Sequence, residues 1–156
     1  MFTEITVEAQ DWLVTTDTVM GGLSTLEIQN SSEKLQLSGI LSHQNRGGFV
    51  SARIRDGVLN PPSTSKGIEI EWVGDGRSYR IVLHEKERRT REYFSVELHT
   101  SIQRIPWEDL VYQFRTVEDV ERRICPHKIS SVGILLSATH EGPVDFQLTS
   151  LRWWLS

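Results

Sequence analysis

A single cysteine, Cys125, is all the thiol chemistry in this 156-residue chain. An internal disulfide and a multi-thiolate zinc site are therefore excluded. Long apolar runs are missing as well: none approaches the ~20 residues that a membrane-spanning helix needs. The opening residues, Met1 to Glu8, carry acids but neither a basic stretch nor an apolar core, so no signal peptide is visible. An arginine-rich, acid-poor transit peptide is equally absent. A reduced, cytoplasmic compartment is the expectation, and the Asn30-Ser31-Ser32 sequon carries no weight there. Excess positive charge is also lacking, since 17 Lys plus Arg against 21 Asp plus Glu leave a net charge of −4. Sequence-independent nucleic-acid binding neutralises phosphate and needs a basic face, so nucleic acid is not an expected partner.

What the chain does have is length for one domain and apolar residues enough for a core. A hydrophobic content of 38% with 24% charged residues is that of a folded globular domain, not of a disordered one. Period-two alternation dominates. Leu35, Leu37 and Leu41 share one parity, as do Ile68, Ile70 and Trp72, then Tyr79, Ile81 and Leu83, then Phe94, Val96 and Leu98, then Val132, Ile134 and Leu136. Strands with one buried and one wet face read this way in antiparallel sheets. Val82 blurs the wet face of its run. Turn signals at Asn30-Ser31-Ser32, Asn45 to Gly48, Asn60 to Ser63 and Gly74-Asp75-Gly76 break the chain into short strands, the pattern of a sandwich or barrel. Thr116 to Arg123 is the best helical stretch, with a capping start and helical spacing of Val117, Val120 and Ile124. In the last run, Val144, Phe146 and Leu148 lie on one parity and Leu151, Trp153 and Leu155 on the other, which predicts a bulge near Thr149-Ser150. That strand is expected to close the core. The expectation is one all-β domain over residues 1–156.

Three glycine-bearing motifs stand out. They are Asp17-Thr18-Val19-Met20-Gly21-Gly22-Leu23-Ser24, Asn45-Arg46-Gly47-Gly48-Phe49-Val50-Ser51-Ala52-Arg53 and Gly74-Asp75-Gly76-Arg77-Ser78-Tyr79. Each has a structural reading in which glycines satisfy turn geometry and the acids hold their own turns. The third reads as a hairpin turn between two strands. Arg53 shares its parity with Phe49 and Ser51; with Phe49 facing the core, the guanidinium emerges at a rim and needs a planar acceptor, either an internal carboxylate such as Asp75 or a ligand.

Catalytic and cofactor signatures are missing. Gly74-Asp75-Gly76 lies between strands without the helix that phosphate loops require. Cys125 and His127 are two residues apart, a spacing that rarely gives nucleophile–base geometry, and no third group orients them. His43, His84, His99, His127 and His140 show no metal-ligand spacing. Neither a cofactor nor a metal is expected. Glu85 to Glu92 is a mixed charge run expected at a solvated hairpin tip.

The ordered set of Trp12, Asp17 to Ser24, Gly39, Gly47 to Arg53, Gly74 to Tyr79, Trp107 with Phe114, and Ile129 to Gly133 resembles the complex I intermediate-associated protein 30 family, typified by a mitochondrial assembly factor of NADH:ubiquinone oxidoreductase. The resemblance implies a galactose-binding-like jelly-roll β-sandwich and a non-enzymatic role holding a protein partner, such as a subunit of a membrane complex under assembly, without insertion into the membrane. Around Phe114 the family usually continues with proline and an Arg-Gly pair, where this chain has Arg115-Thr116-Val117-Glu118. Without a mitochondrial targeting region, the resemblance is to a compact bacterial-type member. The alternative within the same fold superfamily is a carbohydrate or small-ligand module, with hydroxyls held between polar groups over an aromatic ring. Candidate binding residues for either role are Asp17, Met20, Gly22, Asn45, Arg53, Asp75, Arg77, Tyr79 and Trp107.

Overall fold

Alternation of apolar side chains along thirteen strands lets two antiparallel sheets share one core in this computed structural model, which describes residues 1–89 and 91–156. The strands are β1 (Phe2–Glu4), β2 (Trp12–Thr16), β3 (Thr25–Ser31), β4 (Lys34–Leu41), β5 (Phe49–Ile54), β6 (Gly67–Val73), β7 (Tyr79–Glu85), β8 (Glu92–Glu97), β9 (Ile102–Pro106), β10 (Val111–Phe114), β11 (Val117–Asp119), β12 (Ile129–Ser137) and β13 (Gly142–Trp154). One sheet runs β3-β4-β13-β6-β9, with β1 paired to the end of β13; the other runs β11-β10-β8-β7-β12-β5-β2. This is an all-β jelly-roll sandwich. Buried between the sheets are Leu35, Leu37, Ile68, Ile70, Trp72, Tyr79, Ile81, Leu83, Phe94, Val132, Ile134 and Leu136, the parities that alternation selects.

β13 lies at the centre of its sheet and changes register between Leu148 and Ser150. The bulge turns Leu151 and Trp153 into the core after Val144, Phe146 and Leu148, so both halves of the strand are buried on one side. Phe146 is fully buried and stacks on Trp72 at 5.4 Å and against Tyr79 at 4.8 Å. Trp153 meets Trp107, whose Nε1–H donates to the Ser65 carbonyl at 2.8 Å.

Several expectations are corrected. Thr116 to Arg123 is not helical: β11 pairs back on β10 through a turn at Arg115, which has a left-handed φ of 56°. Val117 and Val120 stay 61% and 66% exposed, so no apolar face is buried that would hold so short a helix. Gly74-Asp75-Gly76 is not a hairpin turn, because β6 and β7 belong to different sheets. Asp75 ties that corner together: its carboxylate accepts from Tyr79 Oη–H of one sheet and from the Asp145 N–H of the other, both at 3.0 Å. Burial and the adjacent Asp75 charge push the Tyr79 phenol well above its ordinary pKa.

The charge run does join neighbouring strands, but its end acids are not solvated. Glu85 and Glu92 are buried. Arg88 meets both, at 3.1 and 3.5 Å. Arg89 reaches Glu92 at 2.6 Å and covers the Phe114 ring, while Tyr112 Oη–H donates to Glu92 at 2.7 Å. The Arg89 hydrogen bond first, then that of Tyr112, hold the Glu92 carboxyl down to about 2. A depressed folded pKa gives stabilisation that is complete above the ordinary value of 4.5 and is lost as pH falls toward 2. Urea titration of the native chain and Glu92→Gln at pH 6 and pH 2.5 checks this, with the difference between them shrinking at the lower pH.

Candidate functional site

On β5 the core takes Val50, Ala52 and Ile54, which leaves Phe49, Ser51 and Arg53 on the outer face of the seven-stranded sheet. This reverses the expected parity. Arg53 accordingly does not reach Asp75; it meets Asp56 at 3.6 Å. Strand register carries the outer face across the sheet in rows. One runs Thr15, Ser51, Leu135, Arg80, and the next Leu13, Arg53, Gly133, Val82, Ser95, Val111. Gly133 lies in the middle of the second row, where a Cβ would come within 2.5 Å of the Ala52 carbonyl. The floor is therefore low at that point, with Val82 and Leu135 beside it.

The result is a groove of about 810 Å³ with a mostly apolar wall. Phe49, Val82, Tyr93 and Leu135 supply its apolar surface, Val19 and Met20 border it, and Arg53, His84, Arg91 and Arg115 bring nitrogen groups to it. Tyr93 packs its ring 6.2 Å from that of His84. Burial raises the Tyr93 phenol above its ordinary pKa, with Arg80 opposing and Glu118 assisting, so the hydroxyl is neutral at physiological pH. Val19 and Met20 remain 70% and 64% exposed, large apolar side chains in open solvent at one border.

Of the residues singled out from sequence, Met20 and Arg53 line this groove. Asp17 lies completely buried behind it and serves as a hub. Its carboxylate accepts from the Ser24 N–H at 2.9 Å, the Ser24 hydroxyl at 2.5 Å, the Gly48 N–H at 2.6 Å and the Phe49 N–H at 3.3 Å. Burial alone would raise this carboxyl; the donors, led by the Ser24 hydroxyl, outweigh it and hold the pKa below the ordinary value. Gly22 and Gly47 pack directly on the same carboxylate, where a Cβ at either would overlap it. Asn45 takes a left-handed φ of 56° in the exposed turn before β5. Asp75, Arg77 and Tyr79 stay together at the corner between the sheets, with Arg77 3.9 Å from Asp75, and Trp107 is in the core. The nine residues therefore do not converge on one rim.

Phe49, Val82, Tyr93, Leu135, Arg91 and Arg115 also line the groove and are not among the nine candidate binding residues. A signal existed in Val82, an apolar residue on an otherwise wet parity. Elsewhere, Cys125 Sγ does approach His127 Nδ1, at 3.3 Å, closer than the two-residue spacing suggests. Both side chains lie on one short turn, and no other described residue bonds the imidazole to orient it. Among the described residues no cluster of His, Cys, Asp and Glu could hold a metal ion, and no helix is long and apolar enough to cross a membrane.

Residues 2–148 match the complex I intermediate-associated protein 30 family, over nearly the whole chain. The chain belongs to that family. No curated protein sequence matches it. Among solved structures, a family 11 carbohydrate-binding module of the cellulosomal cellulase Lic26A-Cel5E of Clostridium thermocellum is similar with a TM-score of 0.72 at 11% identity, covering 100% of this chain and 94% of that one. A family 11 module from the same organism, in complex with a β-1,3-1,4-mixed-linked tetrasaccharide, gives a TM-score of 0.68 at 13% identity over 98% and 94%. An agarase, AgWH50C, is similar over 94% of this chain but 23% of its own, with a TM-score of 0.61 at 8% identity. At such identities the family member and these proteins share a fold. The groove chemistry has to be read from this chain's own residues.

Proposed function

We propose that this family member is a non-catalytic protein-binding module, of the kind that holds a partner during assembly, and that it binds through the groove on the outer face of the seven-stranded sheet. The observation that carries this reading is the mostly apolar groove, bordered by the exposed Val19 and Met20. An apolar surface left open in this way marks a place where another molecule is held. Family membership supports a partner that is a protein. The described residues offer no nucleophile, base and orienting group in one place, which supports binding without catalysis.

A carbohydrate reading has one observation of its own, the Tyr93 and Phe49 rings in the groove of a fold shared with a tetrasaccharide-bound module. Sugar hydroxyls call for paired donors and acceptors, and carboxylate or amide side chains usually supply them. None of the described residues lining this groove is Asp, Glu, Asn or Gln. That favours the protein partner.

A photo-crosslinking amino acid at Ser51, on the groove, and at Gln36, on the other sheet, tests the proposal in the source cells. The expected result is a discrete protein adduct from position 51 and none from position 36. Equal labelling from both positions, or none from the groove, overturns it.

A further inference from the structure

We infer that the groove receives an extended polypeptide segment of the partner in which carboxylate and apolar side chains alternate. This rests on the reading of the groove as the binding face and names the chemistry of its occupant.

The two outer faces of the sandwich treat charge differently. On the six-stranded sheet, strand register sets Glu4, Arg152, Glu69 and Arg104 in one row of alternating sign. Its pairs are closed: Arg152 meets Glu69 at 2.5 Å and Glu4 at 3.7 Å, and Arg104 meets Glu69 at 3.4 Å. That face already contains its own complement. The seven-stranded face has acids too, Glu97 opposite Arg80 and Glu118 in the row of Tyr93, but neither lines the groove. Arg53, Arg91 and Arg115 line it, with no Asp or Glu among the described lining residues. Among the described residues, the carboxylate that Arg53 reaches is Asp56, whose side chain is 68% exposed. Arg91 and Arg115 have no carboxylate partner among the described residues, and both are exposed.

This positive lining occurs on a chain whose net charge is −4, so it is a local departure from the average surface. The complement to guanidinium forks around an apolar floor is a ligand with planar anions beside apolar groups. An extended polypeptide supplies both from a single strand, because successive side chains point to opposite sides at a rise of about 3.3 Å per residue. Apolar side chains then lie over Val82, Leu135 and Phe49, and carboxylates turn toward the arginines. A neutral oligosaccharide would leave the guanidiniums without an opposing charge, and the negative chain as a whole would repel a nucleic acid.

The test is selection of a random library of peptides about twelve residues long, displayed on yeast, against the purified full chain. Enriched peptides should be negatively charged, with Asp or Glu alternating with apolar residues. An Arg91→Gln/Arg115→Gln double variant should bind them about tenfold more weakly, as expected for two exposed charge-assisted contacts, while its melting temperature stays unchanged. Added salt should weaken the native complex more than the variant's. Absence of enrichment, enrichment of neutral or basic peptides, or equal binding by the double variant overturns the inference. Crosslinking from Ser51 separates the two failures. A captured partner segment without acids leaves the groove as the binding face and removes this inference, whereas no protein adduct removes both.

Discussion

Replacing Asp17 with alanine is expected to destabilise the chain by about 3–5 kcal/mol, because it leaves several buried donors without an acceptor. The carboxylate now serves Ser24 through both its N–H and its hydroxyl, and the N–H groups of Gly48 and Phe49. These donors come from the segment before β3 and from the start of β5, so one side chain ties together two loops distant in sequence. In a domain of this size the loss corresponds to a fall in melting temperature of roughly 10 °C. Asp17→Asn keeps one carbonyl oxygen but turns an amide NH2 toward existing donors, and it should recover little. Gly47→Ala should fail similarly, since its Cβ would lie 2.5 Å from Asp17 Oδ2.

The pH dependence of the Asp17 variant has a defined sign. The folded carboxyl titrates below its ordinary value of 3.8, so its contribution is complete above that value and disappears as pH falls through the lower folded pKa. Denaturant midpoints of native chain and Asp17→Ala should therefore be far apart at pH 7 and approach each other in strong acid. A constant gap across that range would show that packing, and not the charged hydrogen-bonded carboxylate, is what alanine removes.

The second large effect separates two phenylalanines that a sequence pattern treats alike. Phe146→Ala should cost about 3–5 kcal/mol, the loss of a fully buried ring plus the cavity it leaves. Its contacts with Trp72 and Tyr79 join the two sheets, so neighbours on both sides lose packing. Phe49→Ala removes a half-buried ring from the groove and should cost no more than about 1 kcal/mol. Binding should respond in the opposite order. The crosslinked adduct formed from Ser51 should fall strongly in the folded Phe49→Ala chain, where the apolar wall is lost. Urea denaturation and quantitative crosslinking of the same preparations make the comparison. A Phe49→Ala chain that crosslinks at the native level would remove that ring from the proposed binding surface.

The two phenylalanines also show where sequence reading reaches its limit. Around Phe146 the pattern is unambiguous, since Val144, Phe146 and Leu148 are apolar and their neighbours Asp145 and Gln147 are polar. Around Phe49 both parities carry apolar residues, with Phe49 on one and Val50, Ala52 and Ile54 on the other. The core accepts the three aliphatic residues, and the ring is left outside. Alternation cannot rank those alternatives, because the volume available under the opposing sheet decides them. The Gly-Asp-Gly segment failed for a related reason. A turn signal marks where the chain reverses, but whether the next strand rejoins its own sheet depends on partners elsewhere, here Tyr79 and Asp145 around Asp75.

The amino-acid sequence by itself determined the all-β class, most of the core parities, the β13 bulge and the family resemblance, since each follows from local spacing or an ordered set of residues. It also pointed to Asp17, Met20, Gly22 and Arg53, but gave no means of dividing them between a buried hub and an open surface. Only the tertiary structure decided that Asp17 and Gly22 support the loops while Met20 and Arg53 line the groove. It also brought Val82, Tyr93 and Leu135 together with Arg91 and Arg115. The reason is physical. A groove on a sheet is made by residues from several strands whose adjacency is fixed by long-range hydrogen-bonded register, and no local pattern encodes which strands become neighbours.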